Sequence, residues 1–168
     1  MRQPEAVSPE VARALALKHT FTVDASFDQE RSVAGIGMVV QAADRPGRKG
    51  PVIAECSEAY AGVPSGFAEE FAVFRSLQIA AANGWRRVVV RSDCNGMRRR
   101  IRKDHRAGRG KDRGDLGGAV LRLAAVFDEV RFSYVPRRKN QRAHLLARRA
   151  AKTLAPKMVD EVRFPDGK

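Results

Sequence analysis

Two adjoining stretches decide the fold: AEEFAVFRSLQIAAANG at 68–84 and WRRVVVRSD at 85–93. Counting from Phe67, which directly precedes the first, Phe67, Phe71, Phe74, Leu77, Gln78 and Ala81 recur at three- and four-residue spacing with one polar exception, and Gly84 closes the run. That pattern predicts a helix from Phe67 to Ala82. In the second, RRVVVRSD (86–93) is a compact β-branched strand with Asp93 at its C-terminal end. A helix feeding such a strand, after earlier strands, predicts a parallel addition to an existing sheet.

Working towards the N-terminus, FTVDASF (21–27), VAGIGMVVQ (33–41) and PVIAECSEAY (51–60) are short and β-prone, and DQERS and ADRPGRKG separate them. They read as an antiparallel three-strand meander. Ahead of them, Ser8 can cap and Pro9 can open a short helix on which Val11, Ala14, Leu15 and Lys18 follow helical spacing.

Towards the C-terminus a second helix follows Asp93. RRRIRKDHRAGRGKDRG (98–114) then carries nine Lys or Arg, and is expected to be a helix end running into a mobile basic loop. Asp115 can cap a helix through LGGAVLRLAAVF, EVRFSYV (129–135) reads as a fifth strand, and NQRAHLLARRAAK (140–152) as a final helix. The expectation is an α/β fold of order βββαβααβα with an extra N-terminal helix. Its five-stranded mixed sheet has three antiparallel strands, then two parallel additions, with helices flanking it. Residues 1–18 form an extension, 19–153 one domain and 154–168 a tail. The pentapeptide DEVRF occurs at 128–132 and at 160–164, too short for a structural repeat, and it is read as coincidence within a loosely held tail at 157–168.

At 168 residues, 43% hydrophobic and 30% charged, the chain can bury one core and stay soluble. No apolar run approaches a bilayer span, and MRQPEAVSPE lacks the pattern of a secretory signal, so a cytoplasmic location and no membrane partner are expected. Cys56 and Cys94 stand far apart, outside any zinc or disulfide pattern, and read as two reduced thiols. A net charge of +13, from 32 Lys and Arg against 19 Asp and Glu, points to a polyanionic partner. Charge alone does not choose between DNA, RNA and an anionic membrane.

Three acids occupy telling places: Asp24 inside the first strand, Glu69 in the first turn of the long helix, and Asp93 at the end of the fourth strand. Singly, each has an ordinary reading: a turn or edge residue, a favourable acid at a helix start, a cap for the next helix. An acid in the middle of an apolar strand has no such excuse. If the two strands are neighbours, the three converge, and clustered carboxylates need cations to offset their repulsion.

Four segments, covering Thr20 to Lys152, resemble the ribonuclease H family in its reverse-transcriptase-like branch: TVDASF with AGIGMVV, AEEFAVFRSLQIAAANG, VVVRSDCNGMRRRI, and VPRRKNQRAHLLARRA. The resemblance implies a ribonuclease H-like fold, with Asp24, Glu69 and Asp93 as catalytic metal ligands. His144 stands where the family usually has a fourth acid, among Asn140, Ala143 and Ala147. An imidazole there suits manganese and other transition ions better than magnesium, and can also carry a proton; it can equally be a polar position on an amphipathic helix.

The resemblance further implies a hydrolase with two divalent ions, Mg2+ or Mn2+, one lowering the pKa of the attacking water and the other stabilising the leaving 3′ oxygen. The substrate it implies is the RNA strand of an RNA–DNA hybrid, cut to 5′-phosphate and 3′-hydroxyl ends. Asn95 is placed to reach the groove. Arg98, Arg99, Arg100, Arg102 and Lys103 are placed to hold the backbone, and Arg137, Arg138 and Lys139 to assist before the last helix. The alternatives are a catalytically impaired module that only binds duplex nucleic acid, and a nuclease of the same fold with another nucleic-acid substrate. Trp85, Phe71 and Phe74 are read as core rather than base-stacking residues.

Overall fold

The structure, a computed structural model, describes residues 8–43 and 48–159. Residues 1–7, 44–47 and the second DEVRF lie outside the described residues, as do the side chains of Val11, Ala14 and Leu15. The first helix, α1, spans Pro9–Ala16. Strands β1 (Lys18–Asp28), β2 (Val33–Ala43) and β3 (Val52–Ala61) form the expected antiparallel meander. After a 3-10 turn at Ser65–Phe67 comes α2 (Ala68–Ala82), then β4 (Arg87–Ser92), α3 (Asn95–Arg106), α4 (Leu116–Ala124), β5 (Glu129–Tyr134) and α5 (Gln141–Thr153).

The sheet order is β5-β4-β1-β2-β3-β6, with β4 parallel to β1 and β5 parallel to β4. The expected mixed sheet gains one short border strand, β6, beyond the five expected. In β6, Lys157–Met158 pairs in parallel with Tyr60–Ala61, and the Lys157 ammonium reaches Glu58 at 3.4 Å. Two residues of pairing leave too weak a periodicity to read from sequence.

β2 is buried along Val33–Val40, which requires cover on both sheet faces. Ala34, Ile36, Met38 and Val40 enter one core with Phe21, Val23, Phe71, Phe74, Leu77, Val88 and Val90. Gly35 and Gly37 face the other way, against α5, where a Cβ would overlap the Ala147 and Ala143 carbonyl oxygens. Ala143, Ala147, Ala150 and Ala151 are the buried residues of α5, so small side chains on both elements permit close approach.

Local chemistry sets the boundaries. The Asp115 carboxylate accepts from the Gly118 amide at 2.8 Å, the predicted cap of α4. Gly84, at φ +70°, closes α2 as expected. Phe67 falls outside α2, in the 3-10 turn, and is exposed because the chain has not yet begun the helical repeat there. Phe71 and Phe74 are core residues, and Trp85 stacks on buried His19 with ring centroids 4.0 Å apart.

The basic run differs most from expectation. Residues up to Arg106 belong to α3, and only 107–114 form a loop. Arg and Lys are good helix formers, Ile101 is buried as an anchor, and Lys103, His105 and Arg106 complement the helix C-terminus. Arg113 ties the loop back to Asp104 at 3.1 Å.

Candidate active site

β1 and β4 are neighbours, so Asp24 and Asp93 come to the same end of the sheet, where the first turn of α2 presents Glu69. One ligand oxygen from each of Asp24, Glu69 and Asp93 lies within 4.8 Å of the others. Among the described residues this is the one such group of metal-competent side chains. Asp24 is buried, and Glu69 and Asp93 are partly so.

This crowding shows in the acidities. Burial, then the charges of Asp24 and Asp93, push the Glu69 carboxyl up to about 8. Burial also raises Asp24, opposed by its hydrogen bond to His144. Glu69 Oε2 is buried without a hydrogen-bond partner. A buried, unpartnered carboxylate oxygen beside two more carboxylates matches what a hard divalent cation binds.

His144 sits in the first turns of α5, with Nδ1 2.7 Å from Asp24 Oδ2. It joins the site by holding Asp24 and lies outside the group of three carboxylates. Its neighbour Asn140, 1% exposed, was not singled out as a site residue from the sequence. Its side-chain amide donates to the Val23 carbonyl at 3.1 Å, fixing the start of α5 against the strand that carries Asp24. The signal present in the sequence is a polar residue just ahead of an amphipathic helix.

The expected binding residues divide into two groups. Arg98, Arg99, Arg100, Arg102, Lys103 and Arg106 line a cleft of about 870 Å³ along α3. Asn95, exposed at the start of α3, accepts from Arg98 at 2.7 Å. Arg137, Arg138 and Lys139 form an exposed 3-10 turn just before Asn140, whose amide bonds the strand that carries Asp24. Arg100 is held differently from its neighbours. It donates at 2.6 Å to Glu70, a carboxylate on α2 that is 4% exposed and directly follows Glu69. Glu70 lies about 100° around the helix from Glu69, so the sequence alone places it off the face that carries the cluster.

The sheet order, the helix order and the three carboxylates define a ribonuclease H-type hydrolase. The chain belongs to the reverse transcriptase-like family, whose description matches residues 22–150. Among solved structures it is similar to an RNase H1 from the halophilic archaeon Halobacterium salinarum, at 24% identity and TM-score 0.60 over 79% of this chain and 96% of that one. It is also similar to the N-terminal RNase H domain of a Mycobacterium tuberculosis protein fused to maltose-binding protein, at 25% identity and TM-score 0.62 over 80% and 94%. A third is LC11-RNase H1 in complex with an RNA/DNA hybrid, at 21% identity and TM-score 0.58 over 79% and 96%. No curated protein matches the sequence significantly. No helix among the described residues is long and apolar enough to cross a membrane.

Proposed function

We propose that the chain is a cytoplasmic, divalent-metal-dependent endonuclease that cuts the RNA strand of RNA–DNA hybrids and leaves 5′-phosphate and 3′-hydroxyl ends. The observation that carries this reading is the convergence of Asp24, Glu69 and Asp93 around the unpartnered Glu69 oxygen. Those three residues would hold two Mg2+ or Mn2+ ions, which supply an activated water and charge neutralisation at the leaving oxygen. His144 holds Asp24 in one orientation and offers an imidazole nitrogen to the site, a donor that favours manganese over magnesium. The cations of α3 and of the 137–139 turn grip the phosphates, and Asn95 stands at the groove. The family and the hybrid-bound neighbour support the substrate class.

The test is cleavage of labelled RNA–DNA hybrid, duplex RNA and duplex DNA, with magnesium or manganese, by the wild type and Asp93→Asn. Hybrid cleavage lost in Asp93→Asn, with melting temperature retained, supports the reading. The replacement of the fourth acid by His144 favours one rival, a module that binds duplexes without cutting them. Tight hybrid binding with no metal-dependent cleavage of any substrate would select that rival.

A further inference from the structure

The repeated DEVRF acquires a structural meaning from where its first copy lies. Residues 128–132 lead into and form most of β5, the border strand of the sheet, whose outer edge no other described strand pairs. Beside that edge, between α3 and β5, lies a cleft of about 530 Å³ lined by Arg102, His105, Arg106, Arg131 and Phe132, among others. Open backbone donors and acceptors flanked by three guanidinium groups fit an extended acidic segment added as a further strand.

The second copy opens with Asp160 and Glu161, but it starts too far away to reach this edge in its own molecule. It starts at residue 160, immediately after Val159, which stands within 3.6–3.8 Å of a Cβ placed on Gly62, just past β3. β3 and β6 form the opposite border of the sheet. Five strand spacings separate β6 from β5, roughly 24 Å. A segment that begins one residue beyond Val159 therefore cannot lie along β5 of the same chain.

We propose that the outer edge of β5 takes residues 160–164 of a second copy of this chain as an added antiparallel strand. With Val162 opposite Val130, Glu161 falls across from Arg131, and Arg163 from Glu129. Parallel addition in register would instead set Glu against Glu and Arg against Arg, which is unfavourable. On the other face Asp160 falls across from Phe132, whose ring meets His105 of α3 at 5.6 Å, and so points towards the side of Arg102 and Arg106. Glu129 already binds Lys18, Arg87 and, at 2.7 Å, Arg131 itself, so Glu161 would share the exposed Arg131 guanidinium with Glu129, and Asp160 and Glu161 supply most of the electrostatic attraction. The net charge of +13 opposes association, and this local pairing of acids with arginines offsets it.

Sedimentation velocity of the full chain, in about 0.15 M salt to shorten the screening length, tests the proposal. The wild type, Glu161→Arg, Arg131→Glu and the double swap are compared, with circular dichroism as the check on folding. The expected result is concentration-dependent association, weakened about fivefold in each single variant and restored in the double swap. A labelled peptide of residues 159–168 should also bind the wild type and lose affinity for Arg131→Glu. A chain that stays monomeric and ignores the peptide overturns the proposal. So does association that the charge swaps leave unchanged, or peptide binding that Arg131→Glu does not weaken.

Discussion

Asp24 and Gly37 stand opposite each other in the antiparallel register of β1 and β2, and the bare backbone of Gly37 admits α5 closely enough for His144 to reach Asp24 at 2.7 Å. A methyl group on Gly37 would overlap the Ala143 carbonyl oxygen and crowd the Ala147 amide nitrogen, both backbone atoms. Gly37→Ala should therefore lift α5 from the sheet. We expect a loss of about 1–3 kcal/mol in chemical unfolding and about a hundredfold loss in turnover, from misplacing a group beside the reacting centre.

His144→Asp puts a fourth carboxylate beside Asp24, where the imidazole now holds it. Oxygen ligands suit magnesium, and imidazole suits the transition ions. The ratio of manganese-supported to magnesium-supported cleavage should fall by about tenfold in this variant. An unchanged ratio would mean that His144 contributes orientation alone.

Glu69, held at about 8 by burial and by Asp24 and Asp93, makes the metal-free protein sensitive to alkali. Its folded pKa lies above the ordinary value of 4.5, so the unfolded chain gives up this proton first and stability falls as pH rises from 4.5 to 8. His19 works in another window: burial lowers it from 6.5, so its contribution is lost as pH falls below that value. Between pH 6.5 and 8 the carboxylate cluster dominates, and the loss should be on the order of 2 kcal/mol. Thermal melts of the metal-free chain should show it, Glu69→Gln should flatten it, and added divalent ion should reverse it.

Arg99 and Arg100 are neighbours with different duties. Arg99 lines the cleft along α3, and Arg99→Ala should reduce the salt dependence of hybrid binding by about one ion. Arg100, which lines the same cleft, also satisfies the buried Glu70 carboxylate. Arg100→Ala should lower stability by roughly 1–3 kcal/mol in denaturant melts and change the salt slope less.

Much of this was legible in the sequence, because strong periodicity and punctuation mark elements buried along one stripe or run. The meander, α2, β4 and the cap at Asp115 rest on such signals. Asp24 stood out because a carboxylate inside an apolar strand needs an explanation, and Glu69 and Asp93 joined it through their places at a helix start and a strand end and through the family resemblance of their segments. The extent of α3 was obscured: arginine-rich helices and arginine-rich loops share a composition, and only the Ile101 anchor and the Glu70 and Asp104 partners separate them. β6 was hidden by its two-residue length, and the roles of Asn140 and Glu70 arise from tertiary neighbours that no local spacing encodes.

The bond between Arg100 and Glu70 also joins two tasks mechanically. Glu70 is covalently next to Glu69, so the helix that carries the cationic cleft is pinned one residue from a carboxylate of the cluster. On the proposed function, a shift of α3 under a bound duplex would be felt one residue from Glu69 through that single linkage.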